Sequence, residues 1–231
     1  MTALIFSLSP FTTKAEEPLV EVRTMDNVFK SYKERRGTHG FLLSISGEDY
    51  LPKDYVSRID AENFETMFGD STMPVYSGEI GYKFNFVLGS LSALVGYGYG
   101  RVSFAGSGEE RVLEFHRTTG RLMYIMDNFL AEPYAAPYFS FGIYDLGIEE
   151  KIPTLDASFS GQTKIGTLMT AGLLLQLNWI EPDTSREAYI GAGLENMYLD
   201  LFVTQLNATT SDEDPNTQSG FNVGAGLRLE F

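Results

Sequence analysis

The sequence predicts an all-β chain: an eight-stranded antiparallel up-and-down transmembrane β-barrel with a short N-terminal helix and a helical segment in its first outer loop. Three observations lead there. In the final stretch, 219–231, Phe221, Val223, Ala225, Leu227, Leu229 and Phe231 share one parity, while Asn222, Gly224, Gly226, Arg228 and Glu230 share the other. That is period two, a strand with one apolar and one polar face. Seven earlier stretches alternate in a similar way, and the connections between them are mostly long and short by turns. Finally, no stretch reaches the roughly 18 to 20 apolar residues that a spanning helix needs. The longest mostly apolar run, 168–180, is interrupted by Thr170, Gln176 and Asn178, so any crossing of a membrane has to be made by a closed barrel.

Composition sets the outer bounds. A chain of 231 residues with 43% hydrophobic content fits one structured domain. Its formal net charge of −14 argues against nucleic-acid binding, which requires Lys and Arg to neutralise phosphate. The absence of Cys removes disulfides, thiol catalysis and Cys-ligated metals together.

Taken in order, residues 1–15 hold an apolar run from Ala3 to Phe11 and then Thr13-Lys14-Ala15, which reads as a signal remnant, although no positive charge precedes Lys14. Residues 16–36 read as a periplasmic segment with a short amphipathic helix, because Met25, Val28, Phe29 and Tyr32 fall at i, i+3, i+4 and i+7. The barrel is expected over 37–231. Its first strand, 38–46, turns Phe41, Leu43 and Ile45 to one side. A polar connection, 47–73, carries seven acidic residues, from Glu48 to Asp70, against Lys53 and Arg58; within it Tyr55, Val56, Ile59, Phe64, Met67 and Phe68 suggest a helix folded back on the barrel mouth.

The second strand, 75–87, places Tyr76, Ile80, Tyr82, Phe84 and Phe86 opposite Ser77, Glu79, Lys83 and Asn85. After a turn at 88–90, the third alternates Leu91, Ala93, Val95, Tyr97 and Tyr99 with mostly small residues that suit a crowded interior. A fourth strand, 111–126, carries a turn or bulge signal at Thr118-Thr119-Gly120, and a fifth follows at 137–146. The sixth, 164–179, exposes Ile165, Met169, Ala171, Leu173, Leu175, Leu177 and Trp179, the last suited to an interfacial aromatic. In the seventh, 188–204, the apolar parity switches from Ile190, Ala192 and Leu194 to Leu199, Leu201 and Val203, and a bulge near Asn196 would reconcile the halves.

The terminal alternation ending in Phe231 resembles the closing strand of outer-membrane β-barrel proteins, whose assembly machinery reads such a signal. It differs at Leu229, where an aromatic is common, and at Gly224, where a polar residue is usual. With the loop-length pattern, the chain looks like the small eight-stranded barrels of the OmpA, OmpX and OmpW type over about 36–231. That resemblance implies the bacterial outer membrane of a Gram-negative cell, and as partners outer-membrane lipid, lipopolysaccharide and the barrel assembly machinery. It carries no functional residue across. The assembly signal would comprise Val223, Ala225, Leu227, Leu229 and Phe231.

The polar residues expected inside are Glu79, Lys83, Asn85, Lys164, Gln176, Asn178, Arg228 and Glu230, with Glu114 and Glu195 as further candidates. An eight-stranded barrel is just wide enough for side chains to fill, so such charges must pair. The reading is a non-enzymatic barrel with a structural or surface-interaction role through acidic outer loops, which an envelope or surface protein could meet. A narrow pore or hydrophobic-solute conduit is the alternative, and a lipid A-modifying enzyme a third; the last would need His39 or His116 near a Ser or acid at the outer rim. No catalytic residue, cofactor or metal is assigned, and 211–215 lacks the Gly and distal Glu of a calcium loop. A soluble lipocalin-like barrel would reverse the pattern, with apolar residues inside.

Overall fold

The computed structural model describes residues 30–231 other than 107, 108 and 212. Residues 24–29 of the helix expected over 24–36, and the signal remnant at 1–15, lie outside these. What is described begins with one helical turn, α1 (Tyr32–Arg35), and then β1 (His39–Tyr50). The barrel continues through α2 (Phe64–Phe68), β2 (Met73–Phe86), β3 (Gly89–Gly106), β4 (Glu109–Ile125) and β5 (Ala135–Ile152). It ends with β6 (Ala157–Gln162), β7 (Gly166–Gln176), α3 (Pro182–Ala192), β8 (Asn196–Thr209) and β9 (Phe221–Glu230).

Eight of these strands close a ring. Neighbours pair antiparallel from β1 through β5, then β5 with β7, β7 with β8, β8 with β9, and β9 back onto β1. The closing seam pairs Leu42 with Glu230 and Glu48 with Gly224. Phe231 extends it by two backbone hydrogen bonds with Phe41, at 2.8 and 2.9 Å.

Alternation sorts each of the eight ring strands into an outward, largely apolar face and an inward mixed one. Phe41, Ile45, Tyr76 and Phe221 are 59%, 63%, 68% and 78% exposed on the outside. Along β2 the outward apolar residues run from Tyr76 to Phe86, ten steps of ~3.4 Å. At a tilt of about 40° that gives a band about 26 Å tall, the height of a bilayer's hydrocarbon region. The segment before β1, Phe231 and the connections 87–88, 126–134 and 177–195 lie at one end, here the turn end. The connections 51–72 and 153–165 and the described residues of 210–220 lie at the other, the loop end, where Gly106 of β3 also pairs with Glu109 of β4.

Four expectations are corrected. Thr118-Thr119-Gly120 makes neither turn nor bulge, since β3 and β4 keep one register from Ser90↔Ile125 to Gly106↔Glu109. The connection expected at 147–163 instead continues β5 and returns as β6, which pairs with β5 outside the ring. The parity switch in the seventh strand is a change of element and not a bulge. Residues 182–192 form α3, started by Pro182 at its first turn with Asp183 beside it and stopped by Gly193 at φ 71°; β8 begins only at Asn196. Trp179 accordingly lies beyond β7, exposed in the connection.

The loop end is filled by an apolar core. The helix α2, capped by the Asn63 side chain accepting from Thr66 N at 2.8 Å, folds Phe64, Met67 and Phe68 onto Tyr50, Tyr55, Phe115 and Tyr144. Ring contacts knit the core together, Tyr55 with Phe115 at 5.9 Å and Phe64 with Phe68 at 5.1 Å. Asp60 and Glu62 then meet Arg111 of β4. That hydrogen bond from Arg111, with a smaller one from Ser57, holds the Asp60 carboxyl well below the usual carboxylate range, at about 2.

Candidate functional site

The feature that could carry function is the barrel lumen, a ladder of ion pairs assembled by register. Gly96, Glu79, Ser44 and Arg228 lie in one row across β3, β2, β1 and β9. The row works because Gly96 leaves room; a Cβ there would lie 2.9 Å from Glu79 Cγ and 2.7 Å from Thr119 Oγ1. Glu79 accepts from Arg121 and from Ser44 Oγ at 3.3 Å, and Arg228 approaches it at 3.7 Å. Arg228 also donates to Asp200 at 2.8 and 3.2 Å, and Tyr138 donates to the same carboxylate at 2.8 Å. Towards the loop end, Arg117 pairs with Glu48 and reaches Ser77 Oγ at 3.4 Å.

At the turn end the ladder finishes in a second cluster. Lys83 pairs with Glu230 and lies 2.7 Å from Asp127 Oδ2. The Tyr32 hydroxyl sits among the three, accepting from Lys83 at 2.8 Å and lying 2.8 Å from Glu230 and 3.0 Å from Asp127. Asn196 and Tyr198 donate to the second Glu230 oxygen, Arg36 donates to Asp127 Oδ1, and Ser90 adds a 2.7 Å hydrogen bond to Asp127 Oδ2.

Charges balance along this column. Glu48, Glu79, Asp127, Asp200 and Glu230 are matched by Lys83, Arg117, Arg121, Arg228 and Arg36, the last from the N-terminal segment. A buried ion costs several kcal/mol unless it is paired and hydrogen-bonded, so this matching is what lets the lumen be charged at all. Among the described residues, a polar chamber of about 30 Å³ remains between these side chains, bordered by Glu48, Glu79, Arg117, Arg121, Thr170 and Thr204. That is room for no more than a few waters. The aromatic core closes it above, and a layer with Leu42, Leu94, Met123, Leu174 and Tyr198 closes it below.

The residues anticipated from sequence divide cleanly. Glu79, Lys83, Arg228 and Glu230 belong to the ladder, while Asn85 and Gln176 are buried at its turn end, bonded to Gly37 O at 2.8 Å and Asn196 Oδ1 at 2.7 Å. Lys164 is exposed outside the lumen; it precedes the start of β7, and its backbone N–H donates to Asp214. Asn178 lies two residues past β7 and ties the turn together through Glu195 O and Met197 N, so it is outside the ladder too. Glu195 lies in the same connection and is likewise no wall residue. Glu114 faces outward on β4, 3.5 Å from Arg101, because odd residues of that strand point in. Arg117 and Arg121 were not anticipated, although their spacing of four places both on one face of an unbroken strand.

Val223, Ala225, Leu227 and Leu229 point outward on β9, with Phe231 partly exposed just past its end. Both histidines also lie on the outer surface. His39 Nδ1 is 2.5 Å from the Tyr82 hydroxyl and His116 Nδ1 is 2.6 Å from that of Tyr97. They stand near opposite edges of the apolar band.

No family model and no curated protein matches the chain. Among solved structures it is similar to Neisserial surface protein A (NspA), with a TM-score of 0.50 at 14% identity over 84% of this chain and 98% of that one. OprG from Pseudomonas aeruginosa gives a TM-score of 0.49 at 10% identity, over 85% and 97% of the two chains. The attachment invasion locus protein Ail of Yersinia pestis gives 0.46 at 12% identity, over 84% and 97%. At such identities the likeness to NspA speaks for the fold, a closed barrel of the small outer-membrane kind.

Proposed function

We propose that this chain is an integral barrel of the bacterial outer membrane that conducts nothing. Its turn end faces the periplasm, and its acidic loop end is presented to the exterior in a structural or surface-interaction role. The filled lumen carries this reading. Five cations meet five carboxylates along the lumen, and Glu48, Glu79, Arg117 and Arg121 among them border a chamber of about 30 Å³. An ion would have to break several buried pairs to pass, at ~3 to 5 kcal/mol for each one broken.

The apolar band supports insertion in lipid, and it counts against the soluble lipocalin-like reading. The lipid-modifying reading is weakened, because the hydrogen-bond partner of each imidazole is a tyrosine hydroxyl and not the Ser or acid that this chemistry needs. Outer-membrane lipid, lipopolysaccharide, the assembly machinery and an envelope or surface protein remain the proposed partners.

Planar-bilayer recording on the folded full-length chain tests the proposal. The expected trace is free of unitary steps, and reproducible single-channel openings would restore the pore reading.

A further inference from the structure

The segment that supplies Tyr32 does more than add one hydroxyl. Ser31–Arg36 crosses the mouth at the turn end and touches each of the three connections there. Arg36 donates to Phe86 O at 2.7 Å and Gly89 O at 2.9 Å, bracketing the 87–88 turn, and to Asp127 Oδ1 at 3.0 Å. Tyr32 N donates to Glu132 at 2.8 Å and Lys33 N to Ala131 O at 3.1 Å, in the 126–134 connection. Arg35 donates to Glu195 O at 3.0 Å, in the 177–195 connection, and Glu195 N in turn donates to Glu230 O at 2.7 Å.

The mouth itself is acidic. Asp127, Glu132, Glu195 and Glu230 line it, with Lys83 the wall cation paired there, and the strap delivers Arg35 and Arg36 to this cup.

The seat of the Tyr32 hydroxyl also spans the seam. Lys83 belongs to β2 and Glu230 to β9, so they come together only when β9 has paired with β1. A group that binds both at once binds the closed ring and not the open sheet, and by linkage it favours closure.

We propose that Ser31–Arg36 is an intrachain latch, a cationic, phenol-bearing strap that docks in the acidic mouth only after the barrel has closed. It clamps the last strand and all three connections, and so slows reopening. Because its contacts form after the rate-limiting closure, removing them raises the unfolding rate and leaves the folding rate nearly unchanged.

The experiment refolds full-length chain from urea into detergent. It follows the heat-modifiable folded band while pulse-acylating amines, with Lys83 read by peptide mass. In the natural sequence Lys83 becomes unreactive only after the folded band has formed. Tyr32→Ala/Arg36→Ala is expected to unfold roughly tenfold faster or more, with Lys83 reactive in the folded band, while Lys30→Ala, just outside the strap, behaves as the natural chain. Protection of Lys83 before the folded band forms overturns the order of events, and an unfolding rate within twofold of the natural chain overturns the latch. Should the double variant not fold, Tyr32→Phe decides: it keeps the ring and loses only the hydroxyl, so faster unfolding supports the latch and an unchanged rate refutes it.

Discussion

Replacing Glu79 by Gln keeps the side chain's volume and removes one charge from the centre of the ladder. Arg121 would then retain only its long contacts, 3.3 Å to Thr170 Oγ1 and 3.5 Å to Ser140 Oγ, whereas Arg228 would keep Asp200 at 2.8 Å. One buried guanidinium is left without a counter-ion. Breaking such a pair from one side costs ~3 to 5 kcal/mol, and the Gln oxygen, still able to accept a hydrogen bond, sets the expectation near ~3 kcal/mol. Arg121→Met leaves Glu79 with Arg228 at 3.7 Å and should cost less, about 2 kcal/mol. Combining the two removes both charges, and replacing a buried pair as a unit is often close to neutral. The double variant should therefore recover ~2 kcal/mol or more relative to the sum of the single changes, within the range seen for residues in direct contact. Equilibrium urea unfolding in lipid vesicles, read through the fluorescence of Trp179 and checked by gel mobility, measures all three variants. If Glu79→Gln costs less than about 1 kcal/mol, or the two changes add within ~0.5 kcal/mol, the lumen is not held by paired charge.

Two further outcomes follow from the seam and the loop end. Deleting Phe231 removes its two backbone hydrogen bonds to Phe41 and the terminal aromatic together. The yield of membrane-inserted, heat-modifiable barrel in cells should fall severalfold, and normal yield would mean that the terminal residue contributes neither to the seam nor to assembly. Asp60 has a folded pKa depressed to about 2, chiefly through Arg111, so its contribution is present above the unfolded value and disappears as pH falls through the folded one. Protease resistance of the 51–72 connection should hold at pH 5 and decline between about pH 4 and pH 2. Asp60→Asn should flatten that change, at a cost at neutral pH of ~1 kcal/mol or less because the carboxylate is partly solvated.

The outside of this barrel was legible in the sequence because lipid imposes one rule at every outward position. Phe41, Leu43, Ile45, Tyr76, Ile80, Phe139 and Phe141 all obey it. Pairings inside obey no local rule. Glu79 finds Ser44 and Arg228 through the registers of two successive strand pairs, and reaches Arg121 only across the lumen, so no count along one strand reveals the partners. Ile190, Ala192 and Leu194 copied a strand's parity by coincidence, while the competing signals, Pro182 with Asp183 at a helix start and Gly193 at its end, carried the right answer. Arg117 and Arg121 were hidden for a related reason. A turn reading at Thr118-Thr119-Gly120 breaks the one strand on which both point inward. The return strand β6 left little trace, since at the loop end neither of its faces meets lipid; Ser158, Ser160 and Gln162 are exposed opposite half-buried Ala157, Phe159 and Gly161.

Apolar residues inside would avoid the desolvation cost of ten buried charges, and replacing such pairs by packed hydrophobes is often neutral or stabilising. Register offers a physical reason for keeping the charges. A strand whose two faces were both apolar could slip by one residue without penalty, whereas here a slip of β2 turns Glu79 and Lys83 into lipid and a slip of β9 does the same to Arg228 and Glu230. An Arg or Lys on the lipid face costs ~2 to 4 kcal/mol at the bilayer midplane. The slip also strands each former partner inside, so the misregistered barrel is penalised on both faces. The ladder thus discriminates among closures more strongly than it stabilises any one of them, and the latch across the mouth, seated on Lys83 and Glu230, reads the same register at the turn end.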